Sequence, residues 1–370
     1  MKFYCKQEDI LNEISYAMDF TQQKNSLSIL SNIYLETKDD TLTIRSTDTA
    51  SGFTTQIPVQ TVEEGSTIVF GETLLETLRL LPNTTILFAQ NDNTLKISPE
   101  DSTIKFNSTL KVMDASDFPA LESAEDASFF TIGQKAFISM ADQTSFSVGT
   151  DETRQFLCGL FLERSAVGMN MVATDSRRLS LVERKFSETI PDFKPVIIPV
   201  KFFTELKKLA PGDGVMDLCI KEHIIFAKVA KRFFYTTLIK STFPDYRRVI
   251  PQQQTHHCTL KIKETIDAIK RVAVSIDSRV CKIYLEISPN QMTLFSEGNE
   301  MGDAKETLDC QYEGETTTIC LNYTYLVNPL KVMEGETFTF NFTDPLHPVT
   351  LCPEGEHDYF HLIMPMQPGV

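Results

Sequence analysis

His256, His257 and Cys258 stand side by side, and imidazole nitrogens beside a thiol are the donor types of a zinc site. No fourth ligand is spaced to join them, and neighbours on an extended linker point to opposite sides, so no metal is expected there. The acids Glu297, Glu300, Asp303 and Glu306 lack the alternating Asp/Asn positions of a calcium loop and read as a solvated hairpin. The run APGDG (210–214) is a turn rather than a phosphate cradle, because no Gly-Lys-Ser/Thr follows and no helix opens after it. Neither Gly-x-Ser-x-Gly nor His-Glu-x-x-His occurs. What remains for catalysis is Asp175 with Arg178 and a histidine, the basis of one alternative: a three-domain α+β enzyme of nucleotide or sugar metabolism. The leading expectation is a non-catalytic protein without a cofactor.

The tail HLIMPMQPGV (361–370) contains no acid, in a chain whose formal net charge is -15. An apolar patch rimmed by polar groups marks a partner site more often than an accident. Met364 and Met366 are unbranched and polarizable, so they can repack around different apolar side chains, while Pro365 restrains the tail. The competing reading is a last β-strand packed under its own domain, a role expected for Phe360 and Leu362 in any case.

At 370 residues the chain exceeds one comfortable core and predicts two or three domains. Hydrophobic content of 42% and charged content of 23% are ordinary for a globular protein. No apolar run is long enough to span a membrane, and the start MKFYCKQEDILNEI turns charged too early for a signal-peptide core, so a cytoplasmic protein is expected. The eight cysteines are irregularly spaced, several within strand-like runs, and read as reduced thiols. Net charge taken alone excludes nucleic acid as a partner, since binding to phosphates rests on Lys and Arg.

The elements that carry these residues repeat. DDTLTIRSTD ending at Asp48, VGMNMVATD at Asp175 and PNQMTLFSE at Glu297 share one pattern about every 125 residues. TIVFGETLLETLRLLPN, VIIPVKFFTELKKLAPG and TICLNYTYLVNPLKVMEG recur in the same register, each a short strand leading into an amphipathic helix. A further helical stretch opens each copy: QEDILNEISYAMDF, GQKAFISMADQTSF and IKETIDAIKRVAVSI. The prediction is α+β, three tandem similar domains over 1–124, 125–252 and 253–370, each with two helices and about eight strands. The breaks fall at PALESAEDAS (119–128) and IPQQQTHH (250–257).

TFPDYRRVIP (242–251), VATDSRRLSLVE (172–183), the terminal IMPM (363–366) and the N-terminal LSILSNIYLE with TLTIRSTD together resemble the bacterial DNA polymerase III β subunit family, the sliding clamps, over the whole chain. The resemblance implies a ring of two chains enclosing double-stranded DNA, with helices lining the hole. Enclosure would remove the conflict with net charge, because the duplex need not be gripped. It also implies a surface pocket for short peptide motifs of the replicative polymerase, the clamp loader and other replication or repair proteins. By motif match that pocket comprises Leu157, Thr174, Ser176, Arg177, Arg178, Leu179, Pro244, Arg248, Val249, Leu362, Met364, Pro365 and Met366, with Asn322, Tyr325, Leu346 and Pro348 from the third repeat. Ser176 with Arg177 replaces the Gly-His common in the family, and the chain runs past the usual stop through Gln367, Pro368, Gly369 and Val370.

The resemblance further implies DNA-facing cations: Lys24, Arg79, Arg154, Lys201, Lys207, Lys208, Lys263, Lys270 and Arg271. The helices around Lys201 and Lys263 are locally basic, whereas QEDILNEISYAMDF and ETLLETLRL are acidic. Some relatives carry tyrosines where this chain has Gln155 and Phe156. Phe106 and Leu110 of one chain against Val272 and Val274 of another are the candidates for ring closure. A second alternative is a peptide-binding scaffold that never meets DNA.

Overall fold

Apolar residues three and four apart in each third of the sequence become the buried stripe of two helices. A computed structural model of the protein describes residues 1–22, 28–100, 105–125, 127–298, 300, 302–355 and 357–367. Among these the α-helices are α1 (Gln7–Met18), α2 (Gly71–Leu80), α3 (Gln134–Asp142), α4 (Val200–Leu209), α5 (Ile262–Ala273) and α6 (Tyr323–Val332). α1 buries Ile10, Ile14 and Ala17, α2 buries Leu74, Leu75 and Leu78, and the Gln7 side-chain amide donates to the Leu78 carbonyl at 2.7 Å, tying the two together. The two-helix, strand-rich content of each third agrees with the predicted α+β repeats.

The repeat extends to turn geometry. After the strand Thr41–Thr47, the Thr47 hydroxyl donates to the Ser51 carbonyl and accepts from the Thr49 amide, and Thr49 has φ 76°. After the strand Gly168–Thr174, the Thr174 hydroxyl donates to the Arg178 carbonyl and accepts from the Ser176 amide, and Ser176 has φ 75°. A left-handed residue closes both turns, which is where glycine costs least and where a relative with Gly in place of Ser176 loses nothing.

By contact density the chain falls into two units. One holds Met1–Lys135 and Lys201–Leu238; the other holds Ala136–Val200 and Ile239–Val370. In the first unit a 13-stranded sheet runs through both segments, joined where Arg232–Thr237 pairs antiparallel with Ser51–Pro58. In the second, an 8-stranded sheet is joined where Arg178–Lys185 pairs with Tyr359–Ile363, Leu179 opposite Leu362, and a 4-stranded sheet stands beside it in sequence order. Both joints are continuous β-ladders.

Several expectations need correction. His256 to Cys258 are part of a strand, His256–Lys261, rather than a linker; His256 stacks on Phe342 and Cys258 is buried. Val272 is 1% exposed, because it lies on the same helical face as Ile262, Thr265, Ala268 and Ile269, and Leu110 is buried beside Val112 by strand alternation. Both side chains are packed into their own chain. Phe106 and Val274 are exposed.

Candidate functional site

The second unit carries a cavity of about 260 Å³ whose walls come from four separate stretches. The short helical turn Glu152–Leu157 contributes Arg154, Phe156 and Leu157. Thr174, Ser176, Arg178 and Leu179 come from the turn between paired strands; Pro244, Asp245, Tyr246 and Val249 from the FPDYRRV segment; Leu362 and Met364 from the tail. Beneath it lies a cluster of Val172, Leu179, Ile197, Phe243, Tyr246 and Leu362, with Phe161 stacked on Phe243 at 4.6 Å.

The tail is fixed at two points beyond its strand. The Met364 amide donates to the Arg177 carbonyl at 2.9 Å, and the Met366 amide donates to the Cys320 carbonyl at 2.8 Å. Met364 nonetheless keeps 39% of its surface open and Val249 keeps 48%, so the cavity has apolar walls available to a guest. Leu362 packs in a strand, and Met364, beyond it, lines the cavity.

Asp175 is engaged within its own turn. One carboxylate oxygen accepts from the Arg177 and Arg178 amides at 2.9 and 3.1 Å, and the other accepts from the Arg178 side chain at 2.9 Å. The Arg178 guanidinium lies 4.3 Å from the centre of the Tyr325 ring, so Tyr325 supports the cavity from behind. Arg154 donates to Asp151 at 3.1 Å and to the Ser176 hydroxyl at 3.1 Å, spanning one edge of the rim.

The cavity thus gathers Leu157, Thr174, Ser176, Arg178, Leu179, Pro244, Val249, Leu362 and Met364. Arg177 contributes its carbonyl to the tail, and Arg248 pairs with Asp245 at 2.8 Å on the outer rim. Asn322 caps α6 by accepting from the Thr324 amide. Leu346 is exposed in a turn, the Pro348 carbonyl accepts from Gln254, and Pro365 and Met366 continue the tail away from the lining. Asp245 and Tyr246 line it without having been singled out, and Arg154 and Phe156, considered for DNA, line it as well. Asp245 and Tyr246 stand inside FPDYRRV itself, and an aromatic residue directly before Leu157 was the signal for Phe156.

The strands that carry Thr174 and Leu179 require a glycine at their far end. A Cβ on Gly168 would lie 1.9 Å from the Arg184 carbonyl oxygen, which is ladder backbone and cannot rotate aside. Gly168→Ala is expected to destabilise this unit by about 3 kcal/mol, read as a lower urea midpoint.

The cations proposed to face DNA are mostly paired. Lys201 reaches Asp48 at 2.7 Å, and Lys208 reaches Asp19 at 2.8 Å and Glu205 at 3.2 Å. Burial, and then Asp19, push the Glu205 carboxyl above the usual range. Arg79 pairs with Glu76, Lys270 with Asp267 and Arg271 with Glu306. Lys207 and Lys263 are exposed; Lys24 lies outside the described residues. Part of the acidity of α1 is consumed within the first unit, where Glu13, 3% exposed at its side chain, takes two hydrogen bonds from Arg232. A larger cavity of about 680 Å³ borders α1 and α2; within its lining Arg79 pairs with Glu76 and Lys208 with Asp19, and Glu72 adds a further acid. No group of three or more metal-binding side chains occurs among the described residues, and no helix there is long and apolar enough to cross a membrane.

Comparison with known proteins gives one result along the whole chain. Residues 1–122, 131–245 and 247–367 match the family models described as the N-terminal, central and C-terminal domains of the DNA polymerase III beta subunit. The beta sliding clamp of Treponema pallidum is 34% identical over 371 residues, covering 99% of this chain and 100% of the relative. That of Escherichia coli K12 is 26% identical, again over 99% and 100%. The sliding clamp of Bacillus subtilis superimposes with a TM-score of 0.93 at 25% identity, covering 100% of both chains. The Caulobacter crescentus beta sliding clamp, solved with polyethylene glycol at a proposed beta-motif tethering region, superimposes at 0.93 with 27% identity, covering 100% of this chain and 99% of that one.

Proposed function

Because this chain belongs to the DNA polymerase III beta subunit family, we propose that two copies close into a ring around duplex DNA, and that the cavity at Met364 receives short peptides. The chain is a DNA sliding clamp, a non-catalytic processivity factor of replication. Its partners are DNA and a polymerase; the replicative polymerase, the clamp loader and further motif-bearing proteins are the proposed users of the cavity, and the cytoplasm the proposed site of action. Proposed domain limits lie near residues 124 and 252. Ring closure would join the first third of one copy, around Phe106, to the last third of the other, around Val274, twice over.

The observation that carries the reading is the unbroken succession of three clamp-domain matches along one chain of three structural repeats. Enclosure also accounts for the charge pattern. A net charge of -15 and cations largely engaged with acids give the duplex little to adhere to, which favours sliding over gripping. Tethering a polymerase to such a ring replaces bimolecular rebinding with a high local concentration at the primer end.

The test is retention on DNA of different topology. After loading by its cognate loader, the protein is expected to stay on nicked circular DNA through gel filtration at raised salt and to leave once the circle is cut. Adhesion would weaken steeply with salt, by about 0.9 log units per phosphate contact per log unit of salt, and would not distinguish circle from line. Equal retention on both forms overturns enclosure. A peptide-binding scaffold would take up peptide and never be retained on the circle.

A further inference from the structure

Behind the cavity is a buried polar cluster that neither the motif match nor the family comparison assigns to the site. Glu163, on the strand Gly159–Arg164, has a side chain only 11% exposed. A carboxylate removed from water needs donors to compensate it. Three converge on one oxygen, Oε1: the Tyr246 hydroxyl at 2.6 Å, the Asn170 amide at 3.1 Å and the Arg247 guanidinium. Asn170 comes from the neighbouring strand, whereas Tyr246 and Arg247 open the turn Tyr246–Val249. The carboxylate therefore pins FPDYRRV to the sheet from below.

Tyr246 connects this pin to the cavity. It lines the cavity, and its hydroxyl is bonded to Glu163. The Arg247 guanidinium covers the ring at 4.6 Å, and Phe161 and Phe243 meet it edge-on at 6.2 and 6.5 Å. With the hydroxyl anchored, the ring cannot swing into the cavity or away from it, and Val249, in the same turn, is held with it. Burial and the adjacent carboxylate both raise the Tyr246 phenol above its ordinary value, so it stays protonated and keeps donating.

We infer that Glu163 is a positioning residue of the peptide cavity: acting through Tyr246, it fixes the wall against which a guest's large apolar side chain packs. This rests on the peptide-binding reading above. The guest chemistry follows from the walls. About 260 Å³ is below the roughly 300–1,000 Å³ of whole small-molecule sites, so the cavity suits the bulky apolar side chains of an extended peptide.

The test uses the full-length protein and a short fluorescein-labelled peptide ending in Leu-Leu-Phe, followed by anisotropy at a temperature where every variant is folded by circular dichroism. Glu163→Ala is expected to weaken the probe about tenfold or more, as loss of a preorganised wall does. Glu163→Gln keeps an acceptor for the Tyr246 hydroxyl and should stay within about threefold of the parent. Tyr246→Phe removes only the hydroxyl, and the double variant Glu163→Ala/Tyr246→Phe should be no weaker than Glu163→Ala alone, because the two act as one unit. Dimerisation, read by gel filtration, should be the same in all of them. A purely structural role predicts lower melting temperatures with unchanged probe affinity. Binding by Glu163→Ala within twofold of the parent, a Gln variant as weak as the Ala variant, or additive losses in the double variant each overturn the proposal. If the parent itself ignores the probe, the peptide-binding reading falls first and this inference with it.

Discussion

Truncation after Ile363, removing Met364 to Val370, is expected to weaken binding of an apolar peptide about 100-fold and to abolish polymerase stimulation, while the dimer survives. The cut spares the ladder between Tyr359–Ile363 and Arg178–Lys185, so the sheet of this unit keeps its last strand. What it removes is the Met364 wall and the bond from its amide to the Arg177 carbonyl, which restrains the turn presenting Ser176 and Arg178. Fully burying one large apolar side chain stabilises by about 1.5–3 kcal/mol, and release of the turn adds the cost of ordering it again on binding. Met364→Ala alone keeps the backbone bond and should lose only about tenfold. Peptide anisotropy and primer extension on a long single-stranded template measure both effects. Unimpaired stimulation by the truncated protein would remove the tail from the site.

The contrast between the tail and the DNA-facing cations shows which information a sequence makes visible. Met364 could be recognised because an apolar run in an acidic chain is unusual wherever it folds. Lys201, Lys208 and Arg271 were assigned to DNA by resemblance, but their ion pairs were not legible, because their partners Asp48, Asp19 and Glu306 are distant in sequence and nothing in local composition announces the pairing. The same distinction separates strand from sheet. Alternation and turn residues foretold the hairpins and the repeated Thr-Asp turn, but not that Arg232–Thr237 would pair with Ser51–Pro58, nor Arg178–Lys185 with Tyr359–Ile363. Ladders between repeats depend on shape as well as on pattern. Val272 was legible and misassigned: counting from Ile262 by threes and fours places it on the buried stripe, and Val274, 79% exposed, off it. Glu163 gave no signal, since a lone acid in FLERS looks like any solvated strand end until Tyr246 is seen beside it.

The tail's strand also contains an acid-sensitive group. His361 is buried between Phe146 and Tyr359, with its Nδ1 2.8 Å from the Ser180 hydroxyl, which in turn meets the Ser147 hydroxyl at 2.7 Å. Its Nε2 is buried without a hydrogen-bond partner. Burial disfavours the charged ring and pushes its pKa from 6.5 down to about 3. A basic group with a depressed folded pKa contributes stability that is fully present above 6.5 and is lost as pH falls towards 3, because the unfolded chain binds a proton that the folded chain refuses. The slope is about 1.4 kcal/mol per pH unit, or about 2 kcal/mol by pH 5. His361→Asn can keep the bond to Ser180 without titrating. It should be less stable than the parent at pH 7.5 because it underfills the site, yet lose about 2 kcal/mol less between pH 7.5 and 5.0 in urea unfolding. The functional consequence follows from the strand's register: Leu362 is the next residue and Met364 lies two beyond it, so the opening of Tyr359–Ile363 that lets His361 take up a proton also dismantles one wall of the peptide cavity. Peptide affinity of the folded parent should therefore hold between pH 6.5 and 5, where the ring stays neutral, while the stability behind it falls. Equal loss of stability in both proteins would acquit His361 and place the acid sensitivity elsewhere in the unit.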